Sequence, residues 1–595
     1  MLNGVRILVG GMVAAACCFG TWTGALAEDV LIVTRPIFSE SLAEWIAYRE
    51  SQGWTVHTLL AKPTSPGKPY VAPDQVRKQI RSLAAAYPIS ALLIVGDGAP
   101  ESNDDAASRA VLPAPRVDAA VIQRFGPENH IASDAWYGDL NDDGVPELAV
   151  GRIPAKRPSD MIEATKKIIR YETQTRAGLW QSDVRLIAGV GGFSPILDTV
   201  IQRSVRSILA DLLPGAMRLT LTQADWKSPY CPDPMLFRYL TLDQINAGPL
   251  FWIYMGHGSP EELDRLQTPN GLYRIMERSD AEQIDIRDSA PILLFFACYA
   301  GAYDAREPAI AEALFRQPNG PVAVLASSRT AMPYAMGVFG SELLSETFYG
   351  PTATLGAAVL NAKRRMAAEL ADESQQTEPN EQTESAVQAK SAETTEQAAA
   401  VLPAIPASVE PAALSPSEET RLDVRRRLDA AARLFDPAAD ALADERRDHI
   451  HLFNLFGDPL LRVRLPEWFE IDAPPTARAS ESVTVTGESV GADGPVRVEL
   501  ALPLTRQAVR IEPRREFSLT DADRVEYQKT YEAANQRVLA TADGVVQDGR
   551  FSVELPVPAP LVGRYVLRAT LVGEKTLRLA SRPIRVQKAE IPPAL

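Results

Sequence analysis

Phe251-Trp-Ile-Tyr-Met-Gly-His257-Gly258 and Pro291-Ile-Leu-Leu-Phe-Phe-Ala-Cys298-Tyr-Ala-Gly301 are the two stretches from which the rest of the chain is read. Each is a short apolar run stopped by small residues, the pattern of a strand buried on both faces. Each ends in a side chain that can do chemistry. His257 and Cys298 lie 41 residues apart, which leaves room for a helical crossover between parallel neighbours. An imidazole and a thiol would then share one sheet edge. A thiol nucleophile needs a base and a pair of donors for the developing oxyanion. The backbone N–H groups of Cys298 and Gly258 are the candidate donors, the second without a Cβ to obstruct a substrate carbonyl. His257 would serve as general base, then as general acid to a leaving amine. A lone cysteine ending an apolar strand is more often a buried hydrophobe; the matched placement of the two residues raises the pair above that reading.

Upstream, strands at 29–34, 55–60 and 91–95 alternate with helices at 39–52 and 74–87. That order predicts an α/β fold with a mainly parallel sheet. A second half opens with a strand at 183–190 and a helix at 197–213. After Cys298 come a helix at 309–316, a strand at 321–325 and helices at 340–349 and 354–370. The loop after strand 321–325 carries Ser327, Ser328, Thr330 and Met332 and leads to Tyr334. Loops at strand carboxyl ends line the ligand crevice of an open sheet, so Ser327, Thr330 and Tyr334 are candidate substrate contacts. Asp160, in the first turn of a helix at 158–171, is a candidate acid for a substrate pocket, or a helix-start acid favoured by the dipole.

Residues 371–420 are rich in Glu, Gln, Ser, Thr, Ala and Pro and hold no aromatic residue. Such a segment cannot bury a core and reads as a disordered insertion. A helical segment at 421–447 and strand character at 452–463 follow, so the insertion falls within the α/β domain. From Glu470 short alternating strands separated by Pro and Gly predict an all-β sandwich of immunoglobulin-like size. The expected layout is a catalytic domain at 28–465, with subdomains of about 28–180 and 181–465, then a β-domain at 470–595.

Asp139, Asn141 and Asp143 occupy positions 1, 3 and 5 of a calcium-type loop, with Gly144 at position 6. Position 12 is Val150 and no helices flank the loop. A structural calcium site and a plain acidic turn are both open; no other cofactor is implied. Net charge is −15, which argues against nucleic acid as a partner. Arg6, an apolar run at 7–20 and Ala25-Leu-Ala27 read as a signal peptide cleaved after Ala27. The expected destination is the periplasm, the cell surface or the medium, and no later stretch reads as membrane-spanning. Cleavage leaves Cys231 and Cys298, too few for a disulfide scaffold.

His-Gly after one apolar strand and Ala-Cys after the next is a signature shared by caspases, legumain, clostripain and gingipains. The chain resembles the gingipain family most. The resemblance extends over about 29–465: Leu-Ile-Val-Gly-Asp at 93–97, Ser133-Asp134 to Tyr137-Gly138, Glu147-Leu-Ala-Val-Gly-Arg152, the two blocks at 251–301, and Phe456-Gly-Asp-Pro459. It implies a caspase-like three-layer αβα fold in two subdomains, a trailing immunoglobulin-like domain, and endopeptidase action on a protein or peptide substrate through the His257–Cys298 dyad. It also implies that Glu147 orients the histidine. Arg421, Arg425, Arg426 and Arg427 beside the insertion make 371–447 a candidate for self-processing. Two other readings stay open: a transpeptidase that resolves the same acyl-enzyme with an amine, and a non-catalytic calcium-binding surface scaffold.

Overall fold

In the computed structural model, which describes residues 28–63, 71–98, 108–189, 208–377, 416–436, 438–489, 493–506 and 512–589, ten strands join into one sheet. The first half of the chain contributes β1 (Asp29–Thr34), β2 (Thr55–Leu60) and β3 (Ile89–Val95). A small hairpin follows, β4 (Arg116–Asp118) and β5 (His130–Ala132), then β6 (Ala149–Ile153). The second half contributes β7 (Asp183–Ala188), β8 (Arg218–Gln223) and β9 (Phe251–Met255). A second hairpin, β10 (Arg265–Thr268) and β11 (Gly271–Arg274), leads to β12 (Ile292–Phe296), β13 (Ala323–Ser327) and, much later, β14 (Phe453–Phe456). The sheet runs β2-β1-β3-β6-β14-β13-β12-β9-β7-β8.

Every neighbouring pair is parallel except β13 and β14, which pair antiparallel. Strand direction therefore reverses once, in the middle. The carboxyl ends of β9, β12 and β13 share an edge with the amino ends of β6 and β14. This is the near edge; the opposite one is the far edge.

Helices cover both faces. On β1 and β3, Val30, Ile32, Leu93 and Val95 pack with Trp45 of α1 (Ala43–Ser51), while Leu31, Val33, Leu92 and Ile94 pack with Val76 and Ile80 of α2 (Pro73–Ala86). Met161 and Ile168 of α3 (Pro158–Ile169) share the layer of α1. The two-residue period of a strand thus builds three layers. In the second half the helices are α4 (Phe237–Asn246), α5 (Ile310–Phe315), α6 (Pro333–Tyr349), α7 (Leu355–Thr377), α8 (Pro416–Phe435) and α9 (Leu442–Leu452).

Two sequence blocks turn out to be buried charge networks. Arg152 on β6 pairs with both oxygens of Asp134 at 2.7 and 2.6 Å. Asp458 accepts from Trp45 Nε1 at 2.6 Å and from Arg49 at 3.1 and 2.6 Å. Removing one member of such a buried pair would strand a charge and cost about 3–5 kcal/mol.

Several expectations need revision. The stretch 371–420 is helical at both ends, since α7 continues to Thr377 and α8 starts at Pro416; 378–415 lie outside the described residues. Residues 421–447 belong to two helices, not one. The helix expected at 197–213 falls mostly outside the described residues, as does the N-terminal 1–27. Among the described residues no helix is long and apolar enough to cross a membrane.

Beyond the sheet, β15 (Glu467–Trp468), β16 (Glu470–Asp472), β17 (Thr476–Arg478), β18 (Ser482–Glu488), β19 (Gly494–Ala501), β20 (Val538–Val546), β21 (Arg550–Pro556), β22 (Gly563–Val572) and β23 (Leu577–Gln587) form two sheets. Val483 and Val485 from one share a core with Val498, Leu567 and Ala569 from the other. The region is not all β. A helix, α10 (Asp521–Asn535), is started by a reciprocal cap between Thr520 and Asp523. It buries Tyr527, Tyr531 and Ala534 and docks on β8, the edge strand. Asn535 accepts the Leu221 N–H at 2.9 Å and donates to the Leu221 carbonyl at 3.0 Å.

Candidate active site

β9 and β12 are parallel neighbours with Met255 opposite Phe296. His257 and Cys298 each lie two residues beyond that pair, so they leave the sheet at the same level. The glycines flanking the histidine are required by close approach. A Cβ on Gly256 would lie 2.8 Å from the Tyr254 hydroxyl and 2.9 Å from the Gly189 Cα, and one on Gly258 would lie 2.8 Å from the Cys298 carbonyl oxygen. Gly258 therefore lets the histidine loop lie against the cysteine loop. Neither the Gly258 nor the Cys298 N–H is taken up by a backbone carbonyl among the described residues.

The thiol sits half-buried on a constrained turn. Tyr299 next to it has a φ of 56°, a left-handed conformation that costs a non-glycine residue about 1 kcal/mol. The loop after β13 holds it there. Tyr299 N–H donates to the Arg329 carbonyl at 3.1 Å and Gly301 N–H to Ser327 at 2.8 Å. Arg329 is fixed by Asp304 at 2.8 and 2.6 Å and by the His130 carbonyl at 3.0 Å. The Tyr299 hydroxyl reaches Glu128 at 2.5 Å. From the same loop Ala331 N–H donates to Cys298 Sγ at 3.3 Å. Burial pushes the thiol pKa up, the Ala331 amide and the thiol's own backbone N–H pull it down, and the negative charge of Asp264 adds to the rise. Burial and Asp264 together hold the resting thiol neutral and make a base necessary.

His257 is exposed. Beneath it the buried Tyr254 hydroxyl donates to the His257 carbonyl at 2.9 Å and accepts the Asp264 N–H at 3.3 Å. The Asp264 carboxylate accepts the backbone N–H of His257 at 3.1 Å. That places a carboxylate beside the histidine and within electrostatic reach of the thiol.

The sequence profile of Peptidase family C25 matches residues 25–388, well over half of the chain. The chain belongs to peptidase family C25. It is thereby a cysteine-type peptidase. Among solved structures, the Arg specific cysteine proteinase gingipain R shares 16% identity, with a TM-score of 0.48 over 94% of this chain and 98% of that one. The complex of Porphyromonas gingivalis RgpB pro- and mature domains has the same identity and TM-score, over 94% and 100%. No curated protein matches the chain.

The C25 peptidase does not bring all its candidate residues to the thiol. Glu147 precedes β6 at the near edge, but β6 lies four places from β9 in the sheet, about 19 Å at ordinary strand spacing. Its carboxylate accepts the Leu140 N–H at 2.6 Å within the acidic turn. Glu147 is thus not beside His257 here; the acid beside the histidine is Asp264, which holds its backbone N–H. Asp160 follows β6 and so lies at the far edge, accepting the Lys156 and Arg157 N–H groups at 2.9 and 3.0 Å as a helix-start acid. Ser327 is fully buried and its hydroxyl donates to the Ala297 and Arg329 carbonyls; it braces the thiol strand and faces no substrate. Tyr334 is buried, with its hydroxyl bound by Asp429, Arg425 and Arg446. Thr330 does stand at the site, next to Ala331, with its hydroxyl 3.4 Å from that of Tyr299.

The acidic turn does not fit a cation. Asp139 accepts the Asp142 and Gly144 N–H groups at 2.7 and 3.1 Å and pairs with Arg77 at 3.0 Å. Asn141 and Asp143 accept the Asp143 and Val145 N–H groups at 2.9 and 2.8 Å. With Arg77 and Arg81 both on Asp142, the turn is neutralised by guanidinium groups. Among the described residues no cluster of His, Cys, Asp or Glu has a metal's ligand set.

Asp264 and Ala331 were not foreseen. An acid seven residues past the histidine, where the chain turns back, is the signal that could have pointed to Asp264.

Proposed function

We propose that this C25 peptidase is an exported cysteine endopeptidase that cleaves protein substrates through a Cys298 thioester. The observation that carries the reading is the register of β9 and β12, which sets His257 and Cys298 level on one edge. His257 takes the Sγ proton as the sulfur attacks the scissile carbonyl carbon. The carbonyl oxygen, now negative, is received by the Gly258 and Cys298 N–H groups. As the C–N bond breaks, the imidazolium gives its proton to the leaving amine. His257 then deprotonates water, which attacks the thioester and frees the new carboxylate and the thiol. Asp264 favours the imidazolium during both steps.

Membership of a peptidase family supports water over an amine as the second nucleophile. An added amine that yields ligated product instead of hydrolysis would favour transfer. Export rests on the signal-like 1–27, which lie outside the described residues. We read the two C-terminal sheets as an immunoglobulin-like module. Self-processing would not use Arg421 or Arg425, which are bound to Glu342 on α6 and Asp429 on α8; it would fall in 378–415. The deciding experiment is Cys298→Ala against a broad peptide library. The expected outcome is a loss of about 10⁴-fold in turnover, and hydrolysis at the wild-type rate would sink the assignment.

A further inference from the structure

Two successive amides of the loop after β13 divide their donors. Ala331 N–H points at Cys298 Sγ at 3.3 Å, and Met332 N–H points at His449 Nε2 at 3.0 Å. His449 lies on α9, which reaches the sheet only after residue 416. Its Nδ1 is 2.7 Å from the Glu445 carbonyl oxygen. An amide can only donate and a carbonyl can only accept, so Nε2 carries the lone pair and Nδ1 the hydrogen. The ring is fully buried, and burial lowers its pKa to about 4, so this one neutral tautomer persists at ordinary pH.

The rest of α9 behaves in the same way. Glu445 accepts the Ala335 N–H at 2.8 Å. Asp448 accepts three amides, from Ala120, Val121 and Ile122, at 2.8, 2.7 and 3.0 Å. His451 meets the Ser133 hydroxyl at 3.3 Å. These partners lie on loops of the near edge and on the first turn of α6, and come from both halves of the molecule. α9 is therefore fastened to the rim of the site by side chains, and His449 is the fastening next to the sulfur.

We infer that His449 is a positioning residue for the Cys298 thiol: by accepting the Met332 N–H it fixes the preceding peptide so that the Ala331 N–H points at Sγ. The inference rests on Cys298 being the nucleophile. A thiolate forming at Sγ would draw on the Ala331 amide, and the orientation of that amide depends on the imidazole. The charged groups acting here are Asp264 on the thiol and, on α9, Glu445 with Asp436 and Arg446 beside it. None of them replaces the acceptor that Met332 needs.

The test uses the full chain as His449→Leu, which deletes the acceptor, and His449→Gln, whose amide oxygen can stand where Nε2 stood. Iodoacetamide labelling of Cys298 is followed by peptide mass spectrometry across pH 6–10, beside kcat, KM and thermal melting. For His449→Leu the labelling rate at pH 7 should fall about tenfold, the thiolate fraction lost when a thiol pKa rises by about one unit. kcat should fall with it while KM holds, and His449→Gln should recover most of both. Where His449→Leu does not fold, Met332→Pro takes its place: it removes the donor at a backbone φ of −88° that proline approaches, and the same tenfold fall is expected. A folded His449→Leu with the wild-type labelling profile overturns the inference, as does a loss that His449→Gln fails to recover. Activity surviving in Cys298→Ala would overturn the nucleophile and the inference together. Inactive Cys298→Ala beside unchanged His449→Leu would overturn the inference alone.

Discussion

β3 ends at Val95 and passes into Gly96-Asp97, whose carboxylate meets Lys156 at 3.5 Å and Arg316 at 3.7 Å. β12 ends at Phe296 and passes into Ala297-Cys298, whose sulfur meets an amide. Both are buried strands of one sheet, and both run into small residues and then a reactive side chain. The reversal between β13 and β14 sends them to opposite edges. At the far edge charge is matched against charge: Arg316 also pairs with Glu312 at 2.8 Å. Burial pushes Glu312 up to about 7 and Lys167 down to about 7. The cleft there, lined by Asp160, Lys167 and Arg316, measures about 10 Å³, room for no more than a water. At the near edge the thiol is met by neutral donors, with Asp264 as a single nearby acid. A strand end thus becomes a site when its reactive group is left unneutralised and accessible, and the direction of the strand decides which loops can reach it.

The contrast breaks most sharply at the dyad. Cys298→Ala or His257→Ala should each lower kcat by about 10⁴-fold, whereas Glu147→Gln should change it less than about fivefold. Steady-state kinetics of the three variants side by side would reverse the choice of Asp264 over Glu147 if Glu147→Gln proved as damaging as His257→Ala. Asp264→Asn should cost about 10²–10³ in kcat, as expected where a carboxylate supports an imidazolium; an unchanged rate would remove it from the site. Gly258→Ala sets a methyl 2.8 Å from the Cys298 carbonyl oxygen. It should lower kcat by about 10²-fold through the oxyanion donors, and a change confined to KM would count against that role.

The smallest effect concerns the seam between the halves. Lys363 on α7 is fully buried, donates to the Phe453 carbonyl at 2.8 Å, and is lowered by burial to about 7 from 10.5. Between those values the unfolded chain holds the proton more firmly than the folded one, so stability rises with pH across that window. Lys363→Met should flatten the rise. Its melting temperature relative to wild type should be highest near pH 7 and decline toward pH 10; a constant difference would contradict the assignment.

The α/β order, the strands around His257 and Cys298 and the glycines between them were legible because a buried strand announces itself within five or six residues. Asp160 was open to two readings, and the Lys156 and Arg157 N–H groups on its carboxylate bear out the helix-start acid; the edge at which it lies is set by strand direction. The strand that reverses the direction, β14, begins 126 residues after Ser327, and no local periodicity reports it. Glu147 came with a family likeness, and likeness carries no distance. Asp264 meets the histidine through a turn of the chain, which composition does not display. The helix α10 is different: Thr520 with Asp523, then Tyr527, Tyr531 and Ala534 at helical spacing, is a legible helical signal within a region otherwise patterned as strands.

Asn535 has a consequence for how the molecule behaves in a crowd. Its amide donates to and accepts from Leu221 as a neighbouring strand would, on the outermost strand of a ten-stranded sheet. An open sheet edge recruits strands from other chains. A chain ending near residue 465 would leave those two backbone groups unclaimed and should self-associate as its concentration rises, which sedimentation would register as a growing species. One amide on the C-terminal module thus covers two backbone groups of the sheet's outermost strand, and it is this cover that the truncation would remove.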